Sequence, residues 1–309
     1  MAPRQVVIVG GGTAGWMAAC LMAHHWRERA KVTVVESPDI GIIGVGEGST
    51  PQLKAFFDRL GIAESEWMPA CNATYKAGIR FAGWSERPGH ESYFHPFATE
   101  IDVHTQGHFF FHTRARRTGR DVPAHPDRFF LAETIARRRL APVPAENFPF
   151  AIGYGYHFDA TLVGRFLRGH AVGKLGVTHL ERTVASVEVA EGQRIAAILC
   201  DNGERIAGDL FVDASGFRAL LHQQALGVPF IPFAENLFND RAVAMPTPRA
   251  NETLSCETQA TALSAGWAWK IPLTNRYGNG YVYSSRYLSP EEAEAELRAH
   301  IGVGDDVEA

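Results

Sequence analysis

Cysteine is scarce in this chain of 309 residues. The four present, Cys20, Cys71, Cys200 and Cys256, lie far apart and form no CxxC pair. Neither a zinc knuckle nor a disulfide framework follows from such spacing, and a reducing, cytoplasmic compartment is the default expectation. No stretch approaches the ~20 apolar residues of a membrane span. No signal peptide is expected either, because Arg4 leads straight into Val6-Val7-Ile8-Val9 and three glycines. There is no basic excess: 30 Lys+Arg face 34 Asp+Glu, a net charge of −4, so no global field calls for nucleic acid. Internal repeats and low-complexity segments are lacking too. With 46% hydrophobic and 21% charged residues, the chain is neither disordered, nor a coiled coil, nor collagen-like. Its length allows one large domain or two of ordinary size.

What is present starts at the N-terminus. Residues 4–9 form a continuous apolar run suited to a strand buried on both faces, 13–29 carry a helix-like apolar face, and 31–36 read as a second strand. Between the first strand and the helix stands Gly10-Gly11-Gly12-Thr13-Ala14-Gly15, a G-x-G-x-x-G. Gly10 permits a tight turn, Gly12 lets backbone N–H groups approach a pyrophosphate, and Gly15 lets helix and strand pack closely. An anion then sits at the positive helix N-terminus. Glu36 closes the second strand, where an acid can accept hydrogen bonds from a ribose diol. This is a complete dinucleotide-binding unit, although the motif by itself does not choose between FAD and NAD.

Three further segments stand out. Gly44-Val45-Gly46-Glu47-Gly48-Ser49-Thr50-Pro51 allows close backbone approach and opens a helix, which suits a second phosphate or flavin cradle or a plain flexible connection. Thr74-Tyr75-Lys76-Ala77-Gly78-Ile79-Arg80-Phe81 reads as one strand, with Tyr75, Ala77, Ile79 and Phe81 on one face and Lys76, Gly78 and Arg80 on the other. On physics alone Lys76 is a solvated strand lysine. Trp267-Ala268-Trp269-Lys270-Ile271-Pro272 puts two tryptophans on one strand face.

Elsewhere, 85–126 is rich in His, Phe, Pro and Arg, lacks periodicity and reads as long loops or an insertion. A helix is expected over 157–170, with Phe158, Leu162, Phe166 and Leu167 as its stripe. Short strands are expected near 177–181, 184–190, 194–200 and 209–213, with Asn202-Gly203 as a hairpin turn. Residues 252–287 look β-rich, and Ser289-Pro290-Glu291-Glu292 starts a helix running to His300. His104, His108 and His112 could share one helix face, but Gly107, the Phe109–Phe111 run and the lack of a nearby acid argue against a metal site, and none is expected. Arg114-Ala115-Arg116-Arg117 and Arg137-Arg138-Arg139 read as solvated faces.

Taken together and in order, GGGTAGW, GVGEGSTP, ATYKAGIRF, YHFDA (156–160), LFVDASGFRALL (210–221) and WAWKIP resemble the flavin-dependent halogenases of the tryptophan-halogenase family, over the whole chain. W-x-W-x-I-P, here Trp267, Trp269, Ile271 and Pro272, is the specific element, separating halogenases from related monooxygenases in that family. The resemblance implies an α/β fold: an FAD-binding, GxGxxG Rossmann-like domain of the flavin-monooxygenase type with an associated substrate-covering region. It implies residues 1–84 and 151–227 as two parts of that domain, 85–150 as a loop-rich substrate insertion, and 228–309 as the start of a β-rich substrate region. FAD contacts are implied at Gly10, Gly12, Thr13, Ala14, Gly15, Glu36, Gly46, Glu47, Gly48, Ser49, Val184 and Asp213.

The resemblance also implies a chemistry. FAD arrives reduced, as FADH2, from a separate NADH-dependent flavin reductase; the single nucleotide motif agrees with an external electron source. With O2 and chloride or bromide it yields HOX, which Lys76 receives and delivers to an electron-rich ring such as indole or tryptophan. His95 and Phe97 match the family's segment that stacks on that ring. Neither nucleic acid nor membrane is an expected partner, and a homodimer is left open. Two rivals share the flavin motifs: an FAD-dependent aromatic monooxygenase and an inactive FAD-binding fragment. The second is suggested by length, since the chain reads as cut in mid-fold, without the family's late Gly-Asp flavin motif, halide-binding segment and catalytic glutamate.

Overall fold

A computed structural model describes residues 2–41, 44–249 and 253–308. Residues 250–252 and Ala309, which fall in the expected substrate region 228–309, lie outside the described residues. By internal contact the chain divides into two compact units: Met1–Gly44 with Asp58–Cys71 and Ala160–Pro232, and Val45–Phe57 with Asn72–Asp159 and Phe233–Ala309.

The first unit is built on a four-stranded parallel sheet in the order Leu210–Asp213, Arg4–Val9, Ala30–Glu36, Thr178–Glu181. The apolar run Val6–Val9 is fully buried, each such side chain contributing about 1.5–3 kcal/mol relative to exposure. Helix Thr13–Trp26 follows the glycines and buries Gly15, Trp16, Ala19, Cys20 and Ala23. Helix Ala160–Leu175 supplies Val163, Leu167 and Ala171 to the same core, and Cys20 Sγ lies 3.6 Å from the Leu167 carbonyl oxygen. A three-stranded antiparallel sheet, Val184–Ala190, Arg194–Cys200 and Arg205–Ala207, packs Ile198 and Cys200 on Val7, Val9 and Val35.

The expected 157–170 helix begins late. His157 and Phe158 belong instead to strand Gly155–Phe158, and the helix starts at Ala160. Backbone pairing of that strand with Thr74–Lys76 and Glu47–Gly48 overrides the helical apolar spacing.

The second unit holds that small antiparallel sheet and a larger seven-stranded one. The larger sheet runs Arg241–Ala244, Arg276–Tyr283, Gly266–Pro272, Glu257–Leu263, Gly78–Ala82, Ser92–Pro96, with Thr247–Pro248 also on Arg276–Tyr283. Residues 252–287 are thus β-rich from Glu257 onward. Pairing with Glu257–Leu263 and Ser92–Pro96 holds Gly78–Ala82 within this unit. Helix Pro290–Ile301 is held by a capping box between Ser289 and Glu292 and buries Ala293 and Leu297 against Met245, Tyr281 and Tyr283.

Two sequence expectations fail here. The 74–81 segment is two strands, Thr74–Lys76 and Gly78–Ala82, in different sheets. Ala77 breaks it by donating its N–H to the Cys256 carbonyl at 2.6 Å and accepting from Phe97 N–H at 2.9 Å. The segment 85–126 contains a 15-residue helix, Val103–Arg117. The helix continues from the short turn Glu100–Asp102, which Asp102 holds by accepting from Thr99 N–H at 2.9 Å and from Leu131 N–H at 3.1 Å, and Arg114, Arg116 and Arg117 suit its negative C-terminal end. Among the described residues no helix is long and apolar enough to cross a membrane.

Candidate active site

In the first unit a cleft of about 680 Å³ opens at the ends of the parallel strands. Its floor is Gly10–Gly12, its walls Glu36, Val184 and the turn Ala214–Arg218. Gly10 takes φ +113°, and a Cβ there would collide with the Ala214 carbonyl. A Cβ on Gly15 would strike the Gly10 carbonyl oxygen, so these two glycines serve the backbone path. Gly12 differs, with nothing within 4 Å of its Cβ position. It begins the helix with no side-chain cap and no acid in the first turn, so no side chain competes with an anion for the first-turn N–H donors. An FAD pyrophosphate fits these features.

The other residues expected to touch FAD in this unit divide. Val184 lines the cleft, and Glu36 does too, with its Oε2 2.9 Å from His179 Nε2. Thr13 spends its hydroxyl on the Ala160 carbonyl at 2.9 Å, and Ala14 is exposed on the first helical turn. Asp213 does not line the cleft. Its carboxylate accepts from Ser215 N–H and Oγ and from the N–H groups of Leu221 and His222, fixing the turn that forms one wall. Burial pushes Asp213 up, but those hydrogen bonds outweigh it and leave its pKa below the usual value. Phe217 and Arg218 in that turn were not singled out from sequence, although both stand in the quoted LFVDASGFRALL run.

The second unit holds its own cleft, of about 500 Å³. Trp267, Trp269 and Ile271, alternate residues of one strand, form an apolar wall; Pro272 is buried and gives its carbonyl to Thr74 Oγ1 at 2.7 Å. Lys76 opens into this cleft at 5% exposure, so it is not a solvated strand lysine. Burial lowers its amine to about 8. The Phe97 ring lies 5.6 Å from Nζ, and His95 is exposed, edge-on to cleft residue Phe81 at 6.5 Å. The break at Ala77 lets Lys76, Ile79 and Phe81 line one cleft, which a continuous strand forbids.

Gly46, Glu47 and Gly48 also border this cleft, with Gly46 at φ +91° and Glu47 Oε1 accepting from Val45 N–H at 3.1 Å. Ser49 turns to Tyr156, exchanging hydrogen bonds with its backbone N–H and carbonyl. Thr74, His157 and Thr258 were missed from sequence; His157 stood within YHFDA, but only folding brings it to Lys76. Two of the three histidines of helix Val103–Arg117 have separate engagements, His112 Nδ1 with the Pro123 carbonyl at 2.7 Å and His104 edge-on to Phe150. Among the described residues no group of three His, Cys, Asp or Glu could hold a metal ion.

Comparison with known proteins places these clefts in context. The family model for tryptophan halogenase matches residues 5–309. The chain belongs to the tryptophan halogenase family. It is 40% identical to tryptophan 6-halogenase SttH of Streptomyces toxytricini, over 99% of this chain and 62% of that protein. Against 7-chloro-L-tryptophan 6-halogenase KtzR of Kutzneria sp. identity is 42%, over 98% and 63%. The solved structure of Xcc4156, a flavin-dependent halogenase from Xanthomonas campestris, superposes with a TM-score of 0.85 at 38% identity, covering 100% of this chain and 61% of that one. The chain thus spans less than two thirds of the relatives it matches. The fold is the mixed α/β, FAD-binding Rossmann-type fold of flavin-dependent halogenases.

Proposed function

We propose that this chain carries the FAD site and the halogen-delivering lysine of an FADH2- and O2-dependent halogenase, acting in the cytoplasm on tryptophan or another electron-rich indole. The observation that carries this reading is the Lys76 amine, buried against a wall of tryptophans and lowered to about 8. At neutral pH such an amine remains mostly a hydrogen-bond donor, yet a usable fraction is a nucleophile.

In this reading Gly10, Gly12, Thr13, Ala14 and Gly15 receive the FAD pyrophosphate, Glu36 the ribose, and Val184 and the Asp213-held turn the flanking cofactor surface. Gly46–Ser49 form the second cradle. Bound and reduced, FAD supplies with O2 the oxidising equivalents that convert chloride or bromide to HOX. Lys76 holds HOX by donating an N–H to its oxygen, or as the neutral amine takes the halogen on nitrogen while the O–X bond breaks and the hydroxide leaves with an amine proton as water. His95 and Phe97 stack on the substrate ring and present one carbon, which sets the regiochemistry by position alone. A separate NADH-dependent reductase delivers the reduced flavin. No metal, nucleic acid or membrane enters this scheme.

The test uses a protein that also carries the sequence its relatives have beyond the matched region. Lys76→Ala there should abolish halogenated indole while FAD binding and flavin reoxidation continue. Equal yields of halogenated product per reoxidised flavin would overturn the reading. Oxygenated product with rapid direct NADPH consumption would indicate a monooxygenase.

A further inference from the structure

We propose that His157 and Thr258 are positioning residues for Lys76, the working end of one directed line of hydrogen bonds. The proposal rests on Lys76 being the halogen-delivering lysine. The line begins at the Pro272 carbonyl, which can only accept, and Thr74 Oγ1 donates to it at 2.7 Å. With that hydrogen committed, Thr74 Oγ1 meets His157 Nδ1, 3.1 Å away, as an acceptor, so Nδ1 carries the ring proton. His157 is completely buried. That burial, and then the charge of Lys76, hold its pKa well below the usual histidine value, so the ring stays neutral and Nε2 is bare. Nε2 therefore accepts from Thr258 Oγ1 at 2.9 Å.

The outcome is a hydroxyl whose only hydrogen points away from the cleft that it lines with Lys76. A methyl group on Gly48 would lie 2.9 Å from Lys76 Nζ, 3.2 Å from Thr258 Oγ1 and 3.4 Å from His157 Cδ2, so the three groups surround one point. Toward that point Thr258 can accept from an amine N–H but cannot donate to the amine lone pair. The lone pair stays uncapped for an electrophilic halogen, while Thr258 Oγ1 offers an acceptor oxygen across the cleft to the amine N–H bonds. The other ionisable side chain lining the cleft among the described residues is Glu47, whose Oε1 accepts from Val45 N–H; on the remaining side stands the Phe97 ring.

The test needs no turnover. Competitive acetic anhydride labelling of this chain from about pH 6 to 10, read by mass spectrometry, gives the midpoint at which Lys76 becomes nucleophilic. Thr258→Val should lower that midpoint by about one pH unit, because the cleft wall facing the ammonium loses its acceptor oxygen. Thr258→Ser should restore it. Thr74→Val should also lower it, because His157 is then free to donate from Nε2 and turn the Thr258 hydrogen toward the amine. Long-range 1H–15N spectra of the unaltered chain should show neutral, Nδ1-protonated His157, a reading that stands even if a variant fails to fold. An Nε2-protonated His157, or a Thr258→Val midpoint equal to the parent's, overturns the proposal. Absence of halogenated product from the longer protein would sink the delivery reading and leave these measurements intact.

Discussion

Gly48 is packed against Lys76 so closely that one methyl group on the glycine would lie 2.9 Å from the amine nitrogen. The obstacle is the far end of a flexible side chain, so Gly48→Ala should change stability by less than about 1 kcal/mol. It should nevertheless push the amine out of place. The check is the acylation midpoint of Lys76 beside a urea titration. An unchanged midpoint in a normally folded variant would mean that the amine has other room.

Gly12 and Gly15 belong to one motif but should fail differently. Gly12→Val adds its side chain to open space at the helix start, so the protein should fold while FAD binding is lost. Gly15→Val drives a Cβ into the Gly10 carbonyl within a buried contact and should cost about 1–3 kcal/mol of stability or more. Thermal melting and flavin titration of both variants separate the cases. Tight FAD binding by folded Gly12→Val would remove the pyrophosphate assignment.

The depressed Lys76 amine has a stability consequence with a definite sign. Folded, it titrates at about 8 against an ordinary 10.5, so between these values the unfolded chain binds more protons and stability rises with pH. Lys76→Met should therefore stabilise the protein most below pH 8, by up to about 3 kcal/mol, and hardly at all above about pH 10.5. Denaturation of parent and variant at neutral and alkaline pH measures the difference. A pH-independent gap would contradict the assigned burial of the charge.

Arg80 is held among three carboxylates, 2.8 Å from Asp127, 3.4 Å from Glu257 and 3.7 Å from Glu133. Arg80→Met leaves them facing one another and should destabilise the fold by about 3–5 kcal/mol at neutral pH. Burial already raises the pKa of Glu257 with Arg80 present, so in the variant Glu257 takes up a proton as the pH falls. The deficit should shrink toward about pH 5. Urea unfolding at both pH values checks this, and a deficit that grows in acid would show that the cluster is not responsible.

The features that the sequence determined are local. Strand Arg4–Val9, the glycine turn, helix Thr13–Trp26 and strand Ala30–Glu36 are readable because steric freedom at glycine, the apolar run and the helix terminus all act within a few residues. The Asn202-Gly203 hairpin and the Ser289 cap are legible for the same reason. Lys76 was found through family resemblance, since its own residue pattern suggested a solvated lysine. Tertiary structure alone decided its setting. Ala77 ends the first short strand because its backbone groups find Cys256 and Phe97, and helix Val103–Arg117 continues from the turn that Asp102 ties to Thr99 and Leu131, despite its glycine and ring-rich run. His157 reaches Thr74 across 83 residues and Thr258 across 101. No local propensity encodes such pairings, because a buried imidazole is satisfied by whichever donors and acceptors the packed sheets bring beside it.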